Sequence, residues 1–191
     1  EVLQNDSYFI NGKCVNKMDV LDFRNQVAYV QQEPFLFSVP IAENIDFQVD
    51  NHDLEKIKSV TNLAAVSADI ERFSEQYQTL VGERGVVLSG GQKTRLALSR
   101  AFFKPHSLLI LDDVLSAVDH ETEQSLISNL LQDKDARTTV IISHRISALT
   151  HCDHIIVLDN GRIIDSGSHS DLIKKDGIYK FSWQYQKMTN G

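Results

Sequence analysis

Apolar residues in this chain recur at two spacings, and the change from one to the other marks out its elements. Short aliphatic runs, "VAYV" (27–30), "SLLIL" (107–111) and "TTVIIS" (138–143), have the length and composition of buried strands. From residue 41 to 104 the spacing turns helical, in "HDLEKIKSVTNLA", "SADIERFSE" and "GGQKTRLALSRAFFK", and Pro105 stops the last of these. Further helices are predicted over "HETEQSLISNLLQ" and "RISALT", then a hairpin "HIIVLDNGRIIDSG" turning on Asn160-Gly161, then a helical tail "SDLIKKDGIYKFSWQYQ". Strands that alternate with helices predict an α/β fold. Its parallel sheet would be covered on both faces, with a helical insertion after the first core strand. No internal repeat is present.

Near the N-terminus, "SYFINGKCVNK" reads as a hairpin with its turn at Asn11-Gly12. Its "GKC" imitates the end of a phosphate-binding loop, G-x-x-x-x-G-K-[ST]. The first glycine of that pattern falls on Ser7, and Cys14 stands where the Mg²⁺-binding hydroxyl belongs. Tyr8, Phe9 and Ile10 are also too bulky for backbone N–H groups to wrap a phosphate. The segment is a turn.

Composition narrows the class. With 191 residues, 42% hydrophobic and 24% charged, the chain can bury a core of its own. A net charge of −7 argues against a nucleic-acid-binding surface. No apolar run approaches the roughly 18 residues needed to span a bilayer. Cys14 and Cys152 form no paired motif and read as reduced thiols. Glu1 opens directly on strand-like sequence, so we expect the chain to begin inside a longer protein.

In open parallel sheets, ligands sit beyond the carboxyl ends of the strands. The three core strands end on Gln31-Gln32, on Asp112-Asp113 and on His144. One polar residue at a strand end is usually a solvated loop. An amide, a carboxylate pair and an imidazole at three such ends make a site. "LSGGQ" (88–92) adds a second feature. Ser89 and Gln92 match a capping box, S-x-x-[EQ], which starts many ordinary helices. Two glycines there cost about 1 kcal/mol each against Ala. In return they leave a helix N-terminus bare, so that an anion can approach its donors and dipole.

"LSGGQKTRLALSRA", "LLILDDVLSAVD" and "VIISHR", in this order, resemble the nucleotide-binding domain of an ABC transporter of the exporter type. "LSGGQ" matches the family signature, "LLILD" the Walker B strand, "SAVD" the D-loop and His144 the switch histidine. "VAYVQQEPFLFSVPIAENI" resembles the Q-loop segment and places its glutamine at Gln32, and "LVGERG" resembles an exporter motif centred on Glu83. The resemblance implies a P-loop NTPase-like parallel sheet core with a helical signature subdomain, lacking the N-terminal β-subdomain and P-loop. Residues 1–40 would hold the end of the N-terminal core and the Q-loop, and 41–104 the signature subdomain. Residues 105–168 would hold Walker B, D-loop and switch, and 169–191 the helical tail.

The resemblance further implies ATP and Mg²⁺ as ligands. Asp112 would hold the metal, Gln32 would sense metal and γ-phosphate, and His144 would clamp the γ-phosphate. Ser89, Gly90, Gly91 and Gln92 would close over ATP held by a second nucleotide-binding domain, and Asp119 would connect the two sites. The chain's own transmembrane domain would dock through the Q-loop and the Glu83 region, at the cytoplasmic face of the cell membrane. No nucleic-acid partner is implied.

Two departures from the family pattern follow. The Walker A lysine should lie roughly ten residues upstream of Glu1. Family members usually carry Glu as general base after the Walker B aspartate, and here Asp113 stands there, one methylene short. A base must come within about 2.6–3.2 Å of the proton it takes, and about 1 Å of misplacement costs on the order of 10²-fold. Asp113 therefore marks a weakened site, a change found in one subunit of heterodimeric exporters. His106, His120, His151, His154 and His169 show no metal-ligand spacing and read as solvated surface, and Trp183 with its aromatic neighbours reads as tail packing.

Overall fold

The computed structural model describes residues 9–10, 13–14, 17–82, 85–132 and 137–189. Strands β1 (Phe9–Ile10) and β2 (Lys13–Cys14) form the predicted hairpin, with Ile10 paired to Lys13. Its Asn11-Gly12 turn lies outside the described residues, as does Glu83. A short helix α1 (Val20–Gln26) follows, which the sequence pattern did not predict. It buries no side chain, so it has no apolar stripe to read. Asp19 starts it by accepting from the Leu21 and Asp22 amides at 2.7 and 3.3 Å.

The core is a parallel sheet of β3 (Val27–Val30), β4 (Leu108–Asp112) and β5 (Thr138–Ile142), in that order. Val27 pairs with Leu108 and Leu108 with Thr138, which brings the three carboxyl ends to one edge. The β3–β4 crossover carries α2 (Ile41–Asp46), α3 (Leu54–Leu63), α4 (Ser67–Glu71) and the long helix α5 (Gly90–Phe103). The β4–β5 crossover carries α6 (His120–Gln132). Ala28, Val30, Leu109 and Leu111 turn into one apolar core with Leu96, Leu98, Leu126 and Leu130 of the covering helices. At roughly 1.5–3 kcal/mol for each fully buried large aliphatic, this core holds the sheet to its helices.

The other sheet face differs from expectation. The register puts Tyr29, Val140 and Ile142 on that face, and they remain 55%, 42% and 50% exposed. Among the described residues the sheet is therefore covered on one face, because both crossovers lie on the same side. A second, smaller cluster joins Ile146, Ile155, Leu172 and Tyr179. It lies under the hairpin β6 (Ile155–Asp159) and β7 (Arg162–Gly167) and the tail helices α7 (His169–Leu172) and α8 (Ile178–Thr189). The tail is thus two helices, broken at residues 173–177. "RISALT" forms a 3₁₀ turn, Ile146–Leu149, rather than an α-helix.

Buried Asn44 fixes the segment after β3 to the helical insertion. Its amide nitrogen donates to the carbonyls of Phe37 and Val39 at 3.0 and 3.2 Å, and its oxygen accepts from the Phe37 amide at 2.9 Å. Arg100 of α5 donates to the Asn44 carbonyl at 2.8 Å and to the Phe35 carbonyl at 3.0 Å.

Candidate functional site

Three of the predicted site residues meet at the carboxyl edge of the sheet. Asp112 is the last residue of β4. Asp113 then turns the chain with left-handed dihedrals, φ 50° and ψ 26°, a conformation that Asp tolerates better than most residues. The turn is held from both sides. The Asp113 amide donates to the Ile142 carbonyl at 2.8 Å, and the Asp113 carbonyl accepts from the Ser116 hydroxyl at 2.6 Å. Gln32 reaches across from the end of β3 and donates through Nε2 to Asp113 Oδ2 at 3.4 Å. The other Asp113 oxygen, Oδ1, is buried with no hydrogen-bond partner among the described residues. A buried acceptor without a partner costs about 1–3 kcal/mol.

Tyr29 was not singled out from the sequence. Its hydroxyl donates to Asp112 Oδ2 at 2.8 Å. That hydrogen bond, followed by desolvation and the carboxylate charge, raises the phenol above its ordinary pKa. The parallel register was the missing signal, since it stands Tyr29 beside Ile110, two residues before Asp112. His144 follows β5 by two residues and presents an exposed imidazole.

The signature turn is built separately. Ser89 caps α5 with a complete capping box: its hydroxyl accepts from the Gln92 amide at 3.2 Å, and Gln92 Oε1 accepts from the Ser89 amide at 3.0 Å. Gln92 Nε2 also donates to Asp69 at 3.0 Å. The two glycines have different surroundings. A Cβ on Gly90 would meet nothing within 4 Å, whereas one on Gly91 would stand 2.9 Å from the Ala117 carbonyl oxygen. Gly91 is therefore required inside the fold, and Gly90 is the one that faces open space. Among the described residues no hydrogen bond joins Ser89–Gln92 to Gln32, Asp112 or Asp113.

Asp119 caps α6, accepting from the Thr122 amide at 2.9 Å and the Thr122 hydroxyl at 2.7 Å. These bonds hold its carboxyl below the usual carboxylate range. The segment between Asp113 and Asp119 is strapped by Arg145, which donates to the carbonyls of Leu115, Ser116 and Val118 at 3.2, 3.0 and 3.0 Å.

The strand-end residues fit a small hard cation held jointly with phosphates. Mg²⁺ takes one or two carboxylates and completes its shell with water and phosphate oxygens. Asp112, at the end of β4, supplies one such carboxylate. Among the described residues no group of three His, Cys, Asp or Glu side chains forms a self-sufficient metal cage.

Residues 2–116, more than half of the chain, match the family model described as ABC transporter. The chain belongs to the ABC transporter family. It is 43% identical over 174 residues to the multidrug resistance-like ATP-binding protein MdlA of Escherichia coli, covering 91% of this chain. It is 38% identical over 176 residues to the ATP-dependent lipid A-core flippase of Saccharophagus degradans, covering 92% of this chain. A solved structure described as a bacterial Atm1-family ABC exporter with ATP bound superposes with a TM-score of 0.87 at 36% identity, over 94% of this chain. The chain spans 30% of each of those two relatives and 32% of that solved chain. Its mixed α/β architecture around a parallel sheet is that of an ABC exporter's ATP-binding domain.

Proposed function

We propose that this ABC-family chain binds ATP and takes part in its hydrolysis within an exporter, at the cytoplasmic face of the cell membrane, paired head to tail with a second nucleotide-binding domain. The observation that carries this reading is the meeting of Gln32, Asp112 and Asp113 at the carboxyl edge of three parallel strands. Asp112 would hold Mg²⁺, with Gln32 beside it. That ion would supply positive charge to offset the charge on the phosphates. His144, exposed next to this edge, would donate to the terminal phosphate. Ser89, Gly90, Gly91 and Gln92 would close on ATP held by the partner, with Asp119 between the two sites.

Asp113 would be a poor base. Its shorter side chain already leans on Gln32 with Oδ2, and the remaining oxygen is buried. This favours a second reading, that the chain is the slowly hydrolysing, regulatory member of a heterodimer. A soluble ABC ATPase is the third reading, and the resemblance of "LVGERG" to an exporter motif favours the exporter over it. Docking of the chain's own transmembrane domain is supported by a cleft of about 580 Å³ behind the Q-loop, lined by Tyr29, Gln31, Phe35, Phe47, Arg100 and Lys104. The Glu83 region would complete that contact.

Steady-state ATPase of the assembled exporter tests both readings. With Asp113 a weak base, Asp113→Asn changes turnover by less than about threefold, and Asp113→Glu raises it. Ser89→Arg acts on the other site, where a bulky cation blocks close approach and several kcal/mol of transition-state stabilisation are lost. At 1.36 kcal/mol per factor of ten, turnover falls roughly 10²-fold or more. If Asp113→Asn abolishes turnover as fully as Ser89→Arg, Asp113 is a working base and the weakened-site reading is wrong.

A further inference from the structure

His144 lies in a stretch with no regular structure of its own. β5 ends at Ile142 and the 3₁₀ turn begins at Ile146. Neither a sheet ladder nor a helix fixes the backbone that aims this exposed imidazole. The restraint comes from elsewhere in the chain. Gln186, half-buried on α8, donates through Nε2 to the His144 carbonyl at 2.8 Å. Its Oε1 accepts from the Ile146 amide at 2.9 Å.

A primary amide carries a donor and an acceptor on one planar group, so it can pair with the C=O of one residue and the N–H two residues later, as a neighbouring strand does. Only one orientation of the amide satisfies both bonds. The rotations that set the direction of the His144 side chain are thereby constrained without any contact to the imidazole. Between the two bonded residues, Arg145 pairs with buried Glu123 of α6 at 2.8 Å and donates to the carbonyls of Leu115, Ser116 and Val118 before that helix. Residues 144–146 are thus gripped from two directions.

The helix that carries Gln186 is itself anchored. Tyr179 is buried, and its hydroxyl lies 2.8 Å from His169 Nδ1. Trp183 meets the His169 ring edge-on with centroids 5.0 Å apart. Both aromatics belong to the cluster that includes Ile146.

We propose that Gln186 is a positioning residue for His144, so that the C-terminal helix sets the direction from which the imidazole meets the terminal phosphate of bound ATP. This rests on the reading of His144 as the group that contacts that phosphate. It predicts an effect on ATP that ADP, which lacks the phosphate, does not show.

The test measures equilibrium binding of Mg·ATP and Mg·ADP to the assembled exporter, with nucleotide binding at the other site disabled. Gln186→Met removes the amide at similar length. It lowers the preference for ATP over ADP by roughly three- to tenfold, with ADP affinity held within about twofold. Gln186→Glu keeps the acceptor for Ile146 and loses the donor to His144. It falls between wild type and Gln186→Met, and it serves where the methionine variant does not fold. Adding Gln186→Met to His144→Ala causes no further loss, because the amide acts through the imidazole. Equal losses for ATP and ADP, an unchanged preference, or full additivity with His144→Ala overturns the proposal. If His144→Ala alone leaves the preference unchanged, the reading of His144 itself fails, and that single variant identifies the fault.

Discussion

Gly90 and Gly91 are adjacent in the sequence, yet they answer to different constraints. A methyl group on Gly91 would press on the Ala117 carbonyl oxygen at 2.9 Å, a backbone atom that cannot swing aside. Replacing Gly by Ala in a helix gains about 1 kcal/mol, whereas overpacking costs about 1–3 kcal/mol. The clash is with backbone, so the balance falls on the side of loss, and Gly91→Ala lowers stability by up to about 2 kcal/mol in a denaturant melt. Gly90→Ala meets open space, so stability holds or rises by less than about 1 kcal/mol. If α5 receives the partner's ATP as proposed, the same methyl group would stand in the path of a phosphate, and turnover of the assembled exporter falls by about tenfold or more. A Gly90→Ala variant that loses stability yet keeps its turnover contradicts this division. Asp113 shows a related economy. One residue turns the chain in a left-handed conformation and places a carboxylate against Gln32, with its other oxygen buried.

The tail helices dock through a titratable contact. His169 packs against Tyr179 and Trp183, and partial burial, followed by the positive charges of Lys187 and His151, lowers its pKa. The folded chain thus favours the neutral ring. As pH falls through the ordinary histidine value of about 6.5, the unfolded chain takes up a proton that the folded chain resists. The stability contributed by the docked ring is whole above that value and is lost as pH falls through it. Melting temperatures taken at about pH 7.5 and about pH 5.5 should drop less on acidification in His169→Gln than in the parent chain. Equal drops in the two proteins would show that His169 does not couple to docking. Tyr179 titrates in the other direction, since burial pushes its phenol up to about 12.

Among the described residues one face of the sheet stays exposed, and the sequence contains no G-x-x-x-x-G-K-[ST]. Asp112 and Gln32 offer a foothold for a cation, but the described residues supply no loop of backbone donors around phosphates. The 191-residue chain, purified alone, should therefore bind Mg·ATP weakly or not at all in calorimetry. Low-micromolar affinity would show that these residues grip nucleotide without that loop. The strands, the main helices of the crossover and the residues at the strand ends were legible in the sequence, because hydrophobic period and chain order are local properties. "LSGGQ" declared both a helix start and a bare N-terminus for the same reason. Other features depended on residues far apart in the chain. Tyr29 meets Asp112 through an 83-residue separation, and Gln186 meets His144 through 42. The uncovered sheet face follows from both crossovers lying on one side. No spacing along the sequence encodes such contacts, since each arises when packed elements bring a donor and an acceptor into register.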